Sequence, residues 1–216
     1  MAARLNKTNG RAIVRGVSTA SVTSKGTATR ELIVVRAYAI ACRYGLEGLS
    51  IGDLAQAVGM SKSGVFAHFG SREDLQLAVL DHGGQRFAER VFVPALRAPR
   101  GLARLRAIVA GWFDWVRENR HGCLIMAAAS EYDARPGAQR DRVVGLLERW
   151  RSETTRAIAM AIDSGELRAG TDAGQLAFGI FGIALALHQD TRLFDPARAR
   201  VHAERAVDRL LAADMS

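Results

Sequence analysis

Proline, cysteine and aromatic residues are all scarce in this 216-residue chain. Only four prolines leave long stretches free of helix breakers. Together with many alanines and long segments of 3.6-residue apolar period, they point to an all-α fold. Cys42 and Cys123 stand apart without paired metal-ligand spacing, which suits inert thiols in a reducing cytosol. Long apolar runs are missing too. The strongest, Ala177 to Leu187, is well short of the ~20 residues that span a bilayer. The N-terminus lacks the sustained apolar stretch of a secretory signal, so a soluble, cytoplasmic protein with no membrane partner is expected. Catalytic signatures are equally absent, with no Gly-x-Ser-x-Gly elbow, His-Glu-x-x-His, P-loop or dinucleotide fingerprint. His121 and Cys123 lack a third partner for thiol catalysis, and Gly122 between them marks a helix junction. His188 and Asp190, two apart on a helix end, do not face together as metal ligands would. No enzyme, metal or cofactor is expected.

What is present begins with charge. The hydrophobic content of 49% excludes global disorder, and the net charge is +8. Residues 1–72 hold ten Lys and Arg against three Asp and Glu, a balance of +7, whereas residues 73–216 hold twenty against nineteen, +1. Local cationic excess of this kind gains affinity for a duplex by releasing its counterions. A membrane-surface segment would instead show an amphipathic basic helix, and the N-terminal residues have no such period. Residues 1–28 contain Arg4, Lys7, Arg11, Arg15 and Lys25, no acid, and many Ser, Thr and Gly. They read as a flexible basic arm, either a minor-groove or phosphate tether or a plain terminus.

Residues 49–72 carry the densest signal. Ser50 is a helix N-cap ahead of the stripe Ile51, Leu54, Ala55 and Val58, and Gly59 ends that helix. Met60 faces inward, Ser61 caps again, and a second short helix carries Val65, Phe66 and Phe69. Two short helices joined by a glycine turn are the sequence form of a helix-turn-helix. A first helix is expected from about Arg30 to Tyr44, capped by Thr29, with Ile33, Ala37, Ile40 and Tyr44 on one face. A fourth runs from Ser71 towards Pro94, with Gly83-Gly84 allowing a bend. Pro94 to Gly101 is a breaker-rich link. Five more helices follow, giving about nine. The fifth carries Trp112 and Trp115, the sixth spans about Leu124 to Asp133, and the seventh carries Trp150. The eighth, about Asp172 to Asp190, is apolar almost all round, and the ninth begins at Pro196.

At Ile51-x-x-Leu54-Ala55-x-x-Val58-Gly59-Met60-Ser61-Lys62, followed by Phe66-x-His68-Phe69-x-Ser71-Arg72-Glu73-x-Leu75, the chain resembles TetR/AcrR-family transcriptional regulators. The segment Gly122-Cys123 through Glu131-Tyr132-Asp133-x-Arg135-Pro136-Gly137 is similar to one branch of that family. Phe66 stands where the family usually has Tyr, Arg72 where it has Lys, and Ala41 where a bulky apolar residue is common. The resemblance implies a helix-turn-helix DNA-binding domain at residues 29–76 and a helical effector-binding and dimerisation domain at 77–216. It implies Ser50, Ser61, Lys62, Ser63, Gly64, Phe66, His68 and Arg72 as DNA-facing. Lys62 can donate to guanine or to phosphate, and each Ser can serve as a cap or a base contact. His68 and Arg72 are read as phosphate positioners. Trp112, Trp115, Met126, Trp150 and Met160 are candidates for an effector pocket, with plain core as the alternative. Glu131 and Asp133 can orient a polar ligand group or lie on solvated surface. Gly179, Gly182, Leu185, Val207 and Leu210 are candidates for a homodimer contact through helices 8 and 9. The implied function is a ligand-responsive homodimeric repressor that releases a pseudo-palindromic double-stranded DNA operator when a small apolar effector binds. The alternative is a regulator or nucleoid-type DNA binder without an effector.

Overall fold

A computed structural model describes residues 25–119 and 121–215 of the chain. Residues 1–24 of the expected basic arm lie outside the described residues. Nine principal helices follow one another: α1 (Lys25–Tyr44), α2 (Ile51–Val58), α3 (Lys62–Phe69), α4 (Arg72–Phe87), α5 (Leu102–Glu118), α6 (Leu124–Tyr132), α7 (Ala138–Asp163), α8 (Ala173–Leu193) and α9 (Pro196–Ala212). Beyond Phe87, α4 continues as a π-helical turn, Ala88–Phe92, and a last short turn, Val93–Ala95. A single antiparallel bridge, Leu167 with Met215, is the only β pairing among the described residues.

Helix boundaries follow side-chain chemistry. Ser50, Ser61 and Ser71 each accept a hydrogen bond from the amide three residues on, at 3.4, 3.1 and 3.0 Å. Asp172 and Asp195 cap α8 and α9 in the same way, each accepting two amides. The first helix departs from expectation. It starts at Lys25 instead of Arg30, and Thr29 is no cap, because its Oγ1 donates back to the Lys25 carbonyl at 2.9 Å inside the helix. Residues 25–28 of the expected flexible arm are therefore helical. On the same helix Ile33, Val34, Ala37, Tyr38 and Ala41 are buried, while Tyr44 is 67% exposed under Arg43. The buried stripe thus turns away from Tyr44 in the last turn.

Gly83 and Gly84 lie inside α4, which runs unbroken from Arg72 to Phe87. They are places of close approach. A Cβ at Gly83 would meet Tyr38 of α1 at 3.1 Å and Leu124 of α6 at 3.4 Å, and one at Gly84 would meet Leu146 of α7 at 2.5 Å. Three helices therefore press onto α4 where it has no side chains. Its irregularity comes later, in the π-helical turn, where Gly111 of α5 lets the Val91 backbone approach.

The centre of the larger helical body is aromatic. Phe87, fully buried at the end of α4, stacks on Trp150 of α7 with centroids 3.8 Å apart. It meets Trp112 and Trp115 of α5 edge-on at 5.4 and 5.6 Å, and Trp112 in turn meets Phe181 of α8 at 5.5 Å. Offset and edge-on pairs add attraction to the area they bury. Phe87 thus joins α4 to α5 and α7 directly, and Trp112 extends the cluster to α8. Phe87→Ala should cost about 3–5 kcal/mol in urea unfolding. Tyr44→Ala, on the exposed end of α1, should stay within about 0.5 kcal/mol of the parent. Equal losses in the two variants would contradict this account of the core.

Candidate nucleic-acid interface

α1, α2 and α3 pack with the start of α4 around Ile33, Leu49, Leu54, Val65, Phe69 and Leu75, all buried. The turn between α2 and α3 is tightly specified. Gly59 takes φ +68°, its amide reaches the Gln56 carbonyl at 3.2 Å, and the Met60 amide reaches Ala55 at 2.9 Å. These two bonds satisfy the last carbonyls of α2 in a glycine-dependent termination. Ser61 then opens α3 at once, so a three-residue turn joins α2 to α3.

Val65 and Phe69 anchor α3 inward, which leaves Lys62, Ser63, Phe66 and Ala67 on its outer face. Phe66 is 40% exposed, apolar surface of a kind that suits a thymine methyl or a sugar. The Ser61 and Ser63 hydroxyls lie 3.0 Å apart at the start of that face. A Cβ at Gly52 would meet Lys62 Cε at 3.3 Å, Ser50 Oγ at 3.5 Å and Lys62 Nζ at 3.6 Å. Lys62 and Ser50 therefore come together over the beginning of α2. Gly64 is only half-exposed. Its missing side chain points at the turn, where a Cβ would meet Ser61 Oγ at 3.2 Å and Met60 Cε at 3.3 Å. The residue serves close packing of the cap at least as much as outward approach. His68 is half-buried in the last turn of α3.

Arg72 has an occupation inside the protein. Its Nη2 donates to the Glu47 carbonyl at 2.7 Å and lies 3.4 Å from the Glu47 carboxylate. The guanidinium thus bridges the start of α4 to the loop between α1 and α2, while half of it stays open to solvent. Two cations near this surface escaped the sequence reading. Arg30 of α1 lies over the Phe69 ring at 4.8 Å, at the exit of α3, and Arg43 covers Tyr44. No local spacing marks Arg30, because its ring partner is 39 positions away and only packing joins them.

Elsewhere, Trp112, Trp115 and Trp150 lie in the aromatic cluster, Met126 is buried on α6, and Met160 is half-buried on α7. Trp150 borders a cleft of about 760 Å³ between α4 and α7, with Leu77, Asp81, Arg142, Leu146 and Arg149 on its walls. Trp115 borders another of about 490 Å³ beside Arg86, Arg90 and Asn119. Glu131 and Asp133 part company. Asp133 is exposed, whereas the Glu131 carboxylate accepts the Leu46 amide at 2.9 Å and the Glu47 amide at 3.4 Å. Burial and the adjacent Glu47 carboxylate push the Tyr132 phenol upward, and burial lowers His82 and His188. Cys42 and Cys123 are free thiols, both pushed upward by burial, as suits unreactive groups.

On α8 and α9, Gly182 and Leu185 are exposed, along with Phe178 at 60% and Leu193 at 64%. Val207 is buried in its own chain, and a Cβ at Gly179 would meet Leu210 Cδ2 at 2.9 Å. Gly179 and Leu210 therefore join α8 to α9 within one chain, and Val207 borders a cleft with Val109 and Phe113 of α5. Among the described residues no helix is long and apolar enough to cross a membrane.

Comparison with known proteins agrees with this geometry. Residues 28–79 match the family described as bacterial regulatory proteins, tetR family, and residues 101–207 match the tetracyclin repressor-like, C-terminal domain. The transcriptional regulator AcuR of Cereibacter sphaeroides is 28% identical over 138 residues. That likeness covers 62% of this chain and 62% of AcuR, less than two thirds of its length. A TetR regulator from Chloroflexus aurantiacus superposes with a TM-score of 0.81 at 27% identity, over 88% of this chain and 98% of that one. AibR, solved with isovaleryl coenzyme A and operator DNA, shares the fold at a TM-score of 0.65 and 22% identity, over 87% of this chain and 98% of its own. These proteins are regulators and not enzymes. With a helix-turn-helix formed at one end and both parts of the chain matched, the chain belongs to the TetR family of DNA-binding transcriptional regulators.

Proposed function

We propose that the chain is a homodimeric repressor that reads a pseudo-palindromic operator through α3 and releases it when a small apolar effector binds the C-terminal helices. The observation that carries the DNA part is the outer face of α3, where Ser61, Lys62, Ser63 and Phe66 stand free of the core that Val65 and Phe69 anchor. Lys62 serves base or phosphate, Ser50 joins it from the start of α2, and His68 and Arg72 lie towards the backbone. The local charge of residues 1–72 supports the same reading, and a cytoplasmic location follows from it. Residues 29–76 then form the reading unit and residues 77–216 the effector and dimer unit.

Dimerisation is supported by the exposed apolar side of α8. Phe178, Gly182, Leu185 and Leu193 recur at helical spacing, and contiguous apolar surface of this kind marks an interface. A two-fold contact of α8 and α9 with their copies covers it, with Gly179 and Leu210 holding each helix pair from within. The effector part rests on the clefts that Trp150 and Trp115 border, with Trp112, Met126 and Met160 behind them. An effector acts here only through differential affinity for two states, and typical couplings are about 1–3 kcal/mol. The interlocked packing of Phe87, Trp112 and Trp150 favours a second reading, a regulator without an effector, in which these rings are core alone.

Lys62→Ala should weaken specific binding by roughly 1–3 kcal/mol if Lys62 reads a base, or lower the salt slope by about one if it holds phosphate. Operator affinity unchanged in a triple Lys62→Ala, His68→Ala, Arg72→Ala variant would remove α3 from the interface. For assembly, Gly182→Arg places a cation where a Cβ meets open space, so the chain should fold and turn monomeric by light scattering. Gly179→Arg should instead lower thermal stability through its collision with Leu210. A folded Gly182→Arg dimer would place the interface elsewhere. For the effector, a panel of hydrophobic metabolites should contain a compound that shifts tryptophan fluorescence and lowers operator affinity at the same concentration. Binders that leave DNA affinity untouched would select the second reading.

A further inference from the structure

The helix-turn-helix is joined to the larger helical body by more than α4. The loop Gly45–Leu49, which ends α1 and leads into α2, is held by the last turn of α6 directly and by the first turn of α7 through Gln76 of α4. Gly45 adopts φ +78°, and the Leu46 and Glu47 amides that follow point at one carboxylate oxygen of Glu131, at 2.9 and 3.4 Å. Successive amides after a left-handed residue form a concave anion site, and here a side chain of the same protein fills it. The fit is close, since any Cβ at Gly45 would collide with that carboxylate. Next to it the Tyr132 hydroxyl donates to Glu47 Oε1, while Arg72 donates to the Glu47 carbonyl and faces its other carboxylate oxygen. A third strand of contacts runs through the buried Gln76 of α4. Its Nε2 donates to the Leu46 carbonyl at 3.1 Å, and its Oε1 accepts Gln139 Nε2 of α7 at 3.0 Å.

We infer that Glu131 and Tyr132 are positioning residues for operator reading. Through Glu47 and Arg72 they set the angle of α2 and α3, and they give the α6–α7 elbow a route to the reading head that does not pass through a tilt of α4. The contacts converge on one loop from two bodies. Both atoms of the Glu47 carboxylate are engaged, one from α6 and one from α4. Movement of α6 against α4 therefore has to break one of these bonds or carry the loop along. Arg72 acts in this scheme as a link between loop and helix in addition to any contact with phosphate. The inference rests on the helix-turn-helix being the DNA-reading unit. Enrichment of a sequence by the wild-type protein from a random duplex library tests that reading separately.

The experiment uses the full chain, the duplex so enriched, and a scrambled duplex of the same length and composition. Tyr132→Phe keeps the buried ring and removes only the hydroxyl, and Glu131→Ala removes the carboxylate. Both variants should lose about fivefold or more affinity for the enriched duplex, the lower end of ordinary coupling, while holding the scrambled duplex as the parent does. Non-specific affinity depends on charge and tolerates misplacement, whereas base readout does not. Tyr132→Phe should keep the parent Tm, and amide exchange at Leu46 and Glu47 should quicken in Glu131→Ala. Glu47→Gln combined with Tyr132→Phe should cost less than the sum of the two. Full affinity of both variants for the enriched duplex overturns the proposal. So does an equal loss on both duplexes, which marks general loosening of the head.

Discussion

The stacking of Phe87 on Trp150 is the contact on which the arrangement of this protein depends. It clamps the C-terminal end of α4 among α5, α7 and α8, while the N-terminal end of the same helix begins two residues after α3 stops. Leu75 and Phe87 are 12 residues apart, about 18 Å along a helix. A rigid rod of that length converts a small rotation at its buried end into a displacement at the reading head. Gly83 and Gly84 lie between the two ends and let α1, α6 and α7 close in upon the rod, so its middle is held as firmly as its terminus.

The reading head is a small unit whose order comes from termini more than from bulk. Helices of eight residues are marginal on their own, and α2 and α3 each depend on a serine cap, on Gly59 and on the apolar contacts of Leu54, Val65 and Phe69. Economy of core leaves the outer face of α3 free to carry small, cationic and aromatic groups. It also leaves the head in need of outside support. Glu131, Tyr132 and Gln76 supply it at the α1–α2 loop, and each satisfies backbone or carboxylate groups that the three short helices cannot satisfy among themselves.

Charge and apolar surface divide the molecule by task. The positive excess lies in residues 1–72, the part of the chain that includes the helix-turn-helix. The later two-thirds is nearly balanced, and it exposes Phe178, Leu185 and Leu193 on α8 and Phe194 beside it, with others at Val93, Leu96, Val201 and Met215. Ion pairs link α5 to α9 in that region: Arg106 with Asp208 is solvent-facing and contributes little, while Arg200 with Asp114 is part-buried. The aromatic cluster carries the cohesion of this body.

Much of this was legible in the residues because it is local. Caps at Ser50, Ser61 and Ser71, the glycine stop at Gly59, the all-helical class and the succession of nine helices follow from spacings of three or four residues, and helix chemistry acts over that range. Local reasoning failed where a distant neighbour decides. Thr29 looks like a cap, yet four upstream residues join the helix. Gly83-Gly84 carries no local sign of its neighbours, yet Tyr38 and Leu146 pack into the space. Glu131 looks like solvated surface, yet it holds a loop 85 positions away, and Arg72, read as a phosphate contact, also bridges to Glu47, 25 positions away. The sequence by itself determined which segments become helices and which two short helices form the helix-turn-helix. Tertiary structure alone decided what orients those two helices, because orientation comes from hydrogen bonds and ring contacts between residues with no neighbourhood in the chain.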